Sequence, residues 1–241
     1  MADERFAPVQ IRFEAIGFHG TLESEMSNDE QLQRDVVAEL EWEPSVTAAH
    51  IGVVADGGIV TLTGHVASFA EKHAAEAAAL RVKNVRAVAD EIEVSPPMDA
   101  RRSDDRIARE AIASLAANVS VPPNSIKVTV ADGWITLTGE VGWHFQKAAA
   151  ASDVRRLFGV VGLVDETTIK PTVDTSNLSD EITHALHRSW FFDPKTVFVT
   201  AEGGKVRLTG TVYSQHDRQL AAATAWAASG TTDVDNQIAV G

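Results

Sequence analysis

Cysteine is absent from the 241 residues. That excludes disulfides and thiolate metal sites and leaves the redox compartment open. Long apolar runs are absent too, since none approaches the roughly 18 residues that a bilayer span requires. The N-terminus, Met1-Ala2-Asp3-Glu4-Arg5, has neither a basic n-region nor a long apolar segment behind it, so it does not read as a secretory signal. With Met1 as the natural start, the expected location is the cytoplasm. Positive charge is scarce: 34 acidic and 21 basic residues leave a net charge of −13. Residues 1–98 hold 17 acids and 7 bases, residues 99–171 hold 9 of each, and residues 172–241 hold 8 and 5. No basic stripe is available to neutralise phosphates, so nucleic acid is not an expected partner. The same shortage argues against simple electrostatic docking on anionic lipid. Any membrane contact would be local, through the neutral middle of the chain. Paired carboxylates in an acid/base arrangement, a nucleophile elbow and a phosphate-binding glycine loop are missing as well. The Gly-Gly pairs lie in hairpins, with no helix N-terminus behind them to receive phosphate. No residue is therefore assigned a catalytic role, no cofactor is expected, and the protein is not expected to be an enzyme.

What the chain does contain is one stretch written three times. It reads Asp56-Gly57-Gly58-Ile59-Val60-Thr61-Leu62-Thr63-Gly64-His65-Val66, then Asp132-Gly133-Trp134-Ile135-Thr136-Leu137-Thr138-Gly139-Glu140-Val141. The third copy is Glu202-Gly203-Gly204-Lys205-Val206-Arg207-Leu208-Thr209-Gly210-Thr211-Val212. The shared core is a glycine turn followed by Val/Ile-x-Leu-Thr-Gly-x-Val. A base stands eight residues after each motif glycine (Lys72, Lys147, Arg218), and an Asp or Asn stands 26 after it (Asp90, Asp165, Asn236). Fixed spacings across three copies define a module of roughly 60 to 70 residues. Each is near the size at which a single core is only marginally stable, so the modules are expected to pack on one another or on copies of the chain.

The order of elements repeats with the motif. In the first module Ser27 and Glu30 form a capping-box pattern, and Leu32, Val36, Val37 and Leu40 follow helical spacing. Pro44 ends that helix. Asp56-Gly57 is a two-residue hairpin signal between strands. Ser68 to Leu80 is an Ala-rich helix, and Val88-x-Asp90-x-Ile92-x-Val94 is a closing strand. In the second module Ser103 is read as a helix cap and residues 143–158 as the second helix. In the third module Ser179 is read as a cap and residues near 214–228 as the second helix. The expected fold class is α+β: three tandem αββαβ modules, each a small mixed three-stranded sheet with two helices on one face. The first two strands pair antiparallel, and the third returns parallel to the second by a right-handed crossover. The domains read as an N-terminal extension over 1–26 and modules over 27–96, 101–171 and 177–241. The extension contains the strand-like Val9-Gln10-Ile11-Arg12-Phe13 and is expected to cover a module or reach a neighbouring subunit. The uncovered sheet face would carry Lys127, Trp134, Thr136 and Thr138 in module two, and Phe198, Lys205, Arg207 and Thr209 in module three.

The helix, the glycine turn, Val-x-Leu-Thr-Gly-x-Val, the Ala-rich helix and the closing Val-x-Asp/Asn-x-Ile-x-Val together resemble the BON domain, three in tandem over residues 27–241. That family is associated with osmotically induced envelope proteins, secretins, channels and a cytoplasmic potassium-binding protein. The resemblance implies an interaction module for phospholipid or another partner, and not a catalyst.

The candidate residues follow from the repeat. Gly64, Gly139 and Gly210 read as strand glycines at a bulge or under a closely approaching helix, or else as ligand contacts. Asp90, Asp165 and Asn236 share the parity of the apolar strand positions and point inward. They read as acceptors for backbone N–H groups in the preceding loop, or as weak cation ligands. Lys72, Lys147 and Arg218 lie in the first turns of the second helices, where a base opposes the helix dipole. They are solvated, or else contact a partner or a headgroup, as Trp134 could. His184 and His187 are three apart on one helix with no third ligand nearby. Glu39, Glu41 and Glu43 read as a solvated helix end. Phe13, Phe18, Trp190, Phe191 and Phe192 are candidates for self-association, with core filling the other reading of the last three. The functional expectation is a self-associating, stress-associated interaction or assembly protein, partnered by itself or another protein. Peripheral phospholipid binding and sensing of potassium or another cation are the alternatives.

Overall fold

A computed structural model of the chain describes residues 19–170, 175–188 and 196–240, with side chains from residue 28 onward. In the first module α1 (His19–Trp42) leads through one 3-10 turn at Ala48–His50 to β1 (Ile51–Asp56), β2 (Ile59–Val66), α2 (Phe69–Arg81) and β3 (Ala87–Val94). The second module runs α3 (Asp104–Ala117), β4 (Ile126–Ala131), β5 (Trp134–Val141), α4 (His144–Arg155) and β6 (Gly162–Ile169). The third runs α5 (Leu178–Arg188), β7 (Val197–Glu202), β8 (Lys205–Val212), α6 (Gln215–Ala227) and β9 (Asp233–Val240). Three separate three-stranded sheets result, each with its strands side by side in chain order. In each, the first pair is antiparallel and the second parallel, with the same register throughout: Val53 faces Leu62, Val128 faces Leu137 and Val199 faces Leu208. This is the αββαβ architecture expected from the repeat.

Alternation along the strands sets the core. Val60, Leu62 and Val66 are buried, as are Ile135, Leu137 and Val141, and Val206, Leu208 and Val212. The first helix of each module supplies a stripe at helical spacing: Leu32, Val36 and Leu40; Ile107, Ala111 and Leu115; Leu178, Ile182 and Leu186. The second helix contributes mainly alanines, among them Ala75, Ala78 and Ala79, and Ala221 and Ala225. Small side chains let that helix lie close to the sheet without overpacking. Each fully buried Leu or Ile contributes about 1.5–3 kcal/mol of transfer free energy, and the first helix and the strands supply most of these in every module.

Two caps differ from expectation. The first helix does not open at Ser27 but at His19. From Thr21 to Met26 the chain holds Leu, Glu and Met with neither Gly nor Pro, so the helix propagates through Ser27. Ser179 lies inside α5, which starts at Leu178, and its hydroxyl donates to the Val199 carbonyl of β7 (3.0 Å). By contrast, Ser68 and Ser214 accept the N–H of Glu71 and Asp217 (3.2 and 3.1 Å) as N-caps of α2 and α6. Ser103 stands at the N-cap position of α3 without a capping hydrogen bond from its side chain. The strand-like Val9 to Phe13 with Phe18, and Trp190, Phe191 and Phe192, lie outside the described residues.

Candidate functional site

The recurring base and the recurring Asp or Asn meet in every module. In module one the Lys72 ammonium lies 3.4 Å from Asp90 Oδ1 and donates to the Ile92 carbonyl, while the same Asp90 oxygen accepts the Ile92 N–H (3.0 Å). In module two Lys147 lies 3.6 Å from Asp165 Oδ1 and donates to the Thr167 carbonyl (2.6 Å), while Asp165 accepts the Thr167 N–H (3.0 Å). In module three Arg218 donates to the Asn236 carbonyl (3.0 Å), Asn236 Nδ2 donates back to the Arg218 carbonyl (3.0 Å), and Asn236 Oδ1 accepts the Ile238 N–H (3.2 Å). The bond partner of the inward Asp or Asn is its own strand two residues on, and not the preceding loop.

The third strand of each module is an edge strand, and an unpaired edge is a template for pairing with another chain. The clamp spends two of that edge's free backbone groups, a carbonyl on the base from the second helix and an N–H on the strand's own Asp or Asn. The three bases are accordingly not free surface contacts: Lys72 and Lys147 keep only 23% and 27% of their side-chain surface exposed. Asp90 and Asp165 each have an ammonium and a backbone donor in place of a cation. Among the described residues, no three His, Asp or Glu side chains are grouped to hold a metal ion, His184 and His187 included.

The motif glycines have a steric cause. Gly64, Gly139 and Gly210 have φ of +120°, +134° and +123°. A Cβ there would fall on the carbonyl oxygen of His50, Ser125 or Thr196, respectively. In modules two and three the next residue, Glu140 or Thr211, donates its N–H to that carbonyl (3.3 and 3.0 Å). The close approach that requires glycine is thus the backbone entering the neighbouring strand, not a helix. Sequence reading missed a second recurring device. Glu71, 9% exposed, accepts the N–H of Thr47 (2.8 Å) and of Ala67 (3.0 Å). At the same repeat position Gln146 accepts the N–H of Gly142 (2.9 Å) and Trp143 (3.1 Å). The signal lay in an acceptor three residues after each strand-to-helix turn.

The outer sheet faces are open. Val54, Trp134 and Phe198 are 60%, 51% and 60% exposed, Lys127, Lys205 and Arg207 are exposed, and Thr136, Thr138 and Thr209 are half-buried. Trp134 lies across Gly162, its partner on β6, where any side chain would collide with the indole. On the open face of module three Arg207 pairs with Asp235 (2.9 Å). Glu39 and Glu43 are bridged by Arg81 (2.9 and 3.0 Å). Hydrogen bonds from Ser45 and then Arg81 lower the Glu43 pKa.

The modules meet through their helices. Phe69 of α2 packs on the core of module two. His144 of α4 stacks on Trp226 of α6, with ring centroids 4.0 Å apart and planes 18° apart. Burial first, and then Lys147, push the His144 pKa down against the pull of Asp165. Beside that stack an apolar cavity of about 600 Å³ is lined by Trp143, Phe145, Ala222, Ala223 and Ala227. At the other junction a polar cavity of about 580 Å³ lies between α2 and the end of α4. No helix of the described residues is long and apolar enough to cross a membrane.

Open sheet faces, blunted edges and helix-mediated junctions define a class of small tandem αββαβ modules. The BON domain model matches residues 28–96, 103–171 and 174–241, and the chain belongs to the BON domain family. It is 28% identical over 147 residues to osmotically-inducible protein Y of Escherichia coli (strain K12), covering 59% of this chain and 73% of that protein. Among solved structures it is similar to the C-terminal domain of CdsD, the structural protein of the type III secretion system of Chlamydia trachomatis. Identity there is 18% over 87% of this chain and 96% of that one, with a TM-score of 0.24. A second CdsD structure shows 17% identity, the same coverage of this chain, 92% of the other, and the same TM-score.

Proposed function

We propose that the protein is a non-enzymatic, stress-associated interaction and assembly protein whose sheet faces dock protein partners, copies of itself among them. The observation that carries this reading is that the modules contact one another through helices and leave all three sheet faces open, each exposing a large apolar side chain: Val54, Trp134 or Phe198. The likeness to an osmotically inducible protein supports the link to stress. The clamps on β3, β6 and β9 disfavour strand addition at those edges, which leaves the faces as the larger docking surface. Light scattering across a concentration range tests it. A mass above the 25.8 kDa of one chain, reduced in the Val54→Glu, Trp134→Glu, Phe198→Glu variant, is the expected result. One chain at every concentration would end the self-association reading.

A second reading, peripheral contact with phospholipid, is favoured by the apolar cavity at the junction of modules two and three, where Phe145 is 55% exposed at the rim. Co-sedimentation with vesicles that is lost in Phe145→Asp is its expected outcome, and no co-sedimentation with any headgroup would remove it. A cation-sensing role would need the ion to displace Lys72 from Asp90 and Lys147 from Asp165. A melting temperature unchanged by potassium at constant ionic strength would remove that role.

A further inference from the structure

The polar cavity at the first junction holds an unexplained pair of charges. From module one it is lined by Thr47, Ser68 and His73, and from module two by Ser152, Arg155 and Arg156. The Arg155 Nε is buried and has no hydrogen-bond partner, and neither guanidinium has an ion-pair partner among the described residues. Burial pushes the Arg155 pKa down, Glu76 opposes this, and the neighbouring Arg156 adds to it. Glu76 itself sits 3.7 Å from His73 Nδ1. Glu71 also lines the cavity, but its two oxygens already accept the Thr47 and Ala67 N–H groups.

Internal repetition shows that the module frame does not require this pair. Sixteen residues after the motif glycine, Arg155 stands where the other modules have Leu80 and Trp226. Thirteen after it, Ser152 replaces Ala77 and Ala223. Arg156 does have a counterpart, Arg81, but Arg81 is held by Glu39 and Glu43 (2.9 and 3.0 Å). At the positions of those two carboxylates module two has Ser114 and Asn118, and the Asn118 amide donates to Asp153 (2.7 Å). Module two has thus added one arginine, kept another without its carboxylates, and turned both toward module one. The buried, unpartnered Nε of Arg155 is costly to desolvate and is relieved by an anion, toward which the exposed Arg156 adds a second guanidinium.

We propose that this cavity binds a phosphate-type oxyanion, gripped by Arg155 and Arg156 and by the hydroxyls of Ser152, Thr47 and Ser68. Planar guanidinium forks match tetrahedral phosphate oxygens with paired N–H donors. The hydroxyls offer donors from both modules, so the bound anion ties the two together. The space also admits a small group attached to the phosphate. Glu71 offsets one of the two positive charges lining the site, so loss of either arginine leaves it without net attraction for an anion.

The test uses the full chain titrated with sodium phosphate against sodium chloride at matched ionic strength and pH 7.5, read by melting temperature and isothermal titration calorimetry. Vesicles of phosphatidylglycerol and of phosphatidylcholine form a second arm. A saturable, phosphate-specific rise in melting temperature is expected, with affinity falling about tenfold or more in Arg155→Gln and in Arg156→Gln. Arg156 is exposed, so its variant folds even if the Arg155 variant does not. A response to inorganic phosphate assigns a free phosphate compound. Binding confined to phosphatidylglycerol vesicles and lost in Arg156→Gln assigns a lipid headgroup through the same chemistry. No saturable response in either arm, or one that both variants retain, overturns the proposal.

Discussion

Replacing Gly64 by alanine isolates the reason for the motif glycine, because Gly57 in the same hairpin provides the control. Both have positive φ, +120° and +54°. A Cβ on Gly57 meets nothing within 4 Å, whereas one on Gly64 falls on the His50 carbonyl oxygen. Alanine at Gly57 enters the ordinary left-handed region at about 1–2 kcal/mol. Alanine at Gly64 carries backbone strain of about 1–3 kcal/mol, and β1 must also move away from β2. That movement loosens the adjoining ladder hydrogen bonds, each worth about 1 kcal/mol net. The expected cost is about 3–5 kcal/mol, a large share of the stability of so small a module. Urea unfolding, with hydrogen exchange read by mass spectrometry to place the loss in residues 28–96, measures both variants. A Gly64→Ala cost no larger than that of Gly57→Ala would refute the close-approach argument. Gly139 and Gly210 should repeat the result in their own modules.

Lys72→Met should destabilise module one by about 1–2 kcal/mol, because it leaves the Ile92 carbonyl and the Asp90 carboxylate without their cation. Asp90→Asn should cost less, since Asn236 already fills that position in module three; urea midpoints that reverse this order would contradict the clamp. Glu71→Ala should cost about 1–3 kcal/mol by orphaning two backbone donors. Glu71→Gln should recover most of it, as Gln146 does the same task in module two, and thermal melts of both variants check this. Burial lowers the pKa of His144, so the folded state binds fewer protons than the unfolded one. Its contribution is complete above the ordinary imidazole value of about 6.5 and is lost as pH falls from there toward the depressed folded value. His144→Phe, which keeps a ring against Trp226, should therefore show a smaller drop in melting temperature between pH 7.5 and pH 5 than the parent. An equal drop would remove His144 as the cause.

Repetition made the fold legible without the structure. Three copies of one motif set the order of elements, the hairpin turns and the strand parity, because alternation and helical spacing are local properties of the chain. They also marked which positions matter: the glycine, the base eight residues later and the Asp or Asn after 26. What repetition could not show is why those positions recur. The base and the acid are 18 residues apart and meet only when a helix crosses back over an edge strand. The glycine is explained by the carbonyl of the residue just ahead of the preceding strand. Ser27 shows the limit from the other side, since a local capping pattern lost to the helix-forming residues preceding it.

The residues alone determined three αββαβ modules, their cores and their acidic, cysteine-free character, since each follows from short-range pattern and composition. Only the tertiary structure decided that bases and acids pair into edge clamps, that modules join through Phe69 and the His144–Trp226 stack, and that Arg155 and Arg156 stand unpaired over a shared cavity. The clamps depend on a helix crossing back over its own sheet, and the junctions on how separate modules are set against one another; repetition marks such positions but not which residues they touch.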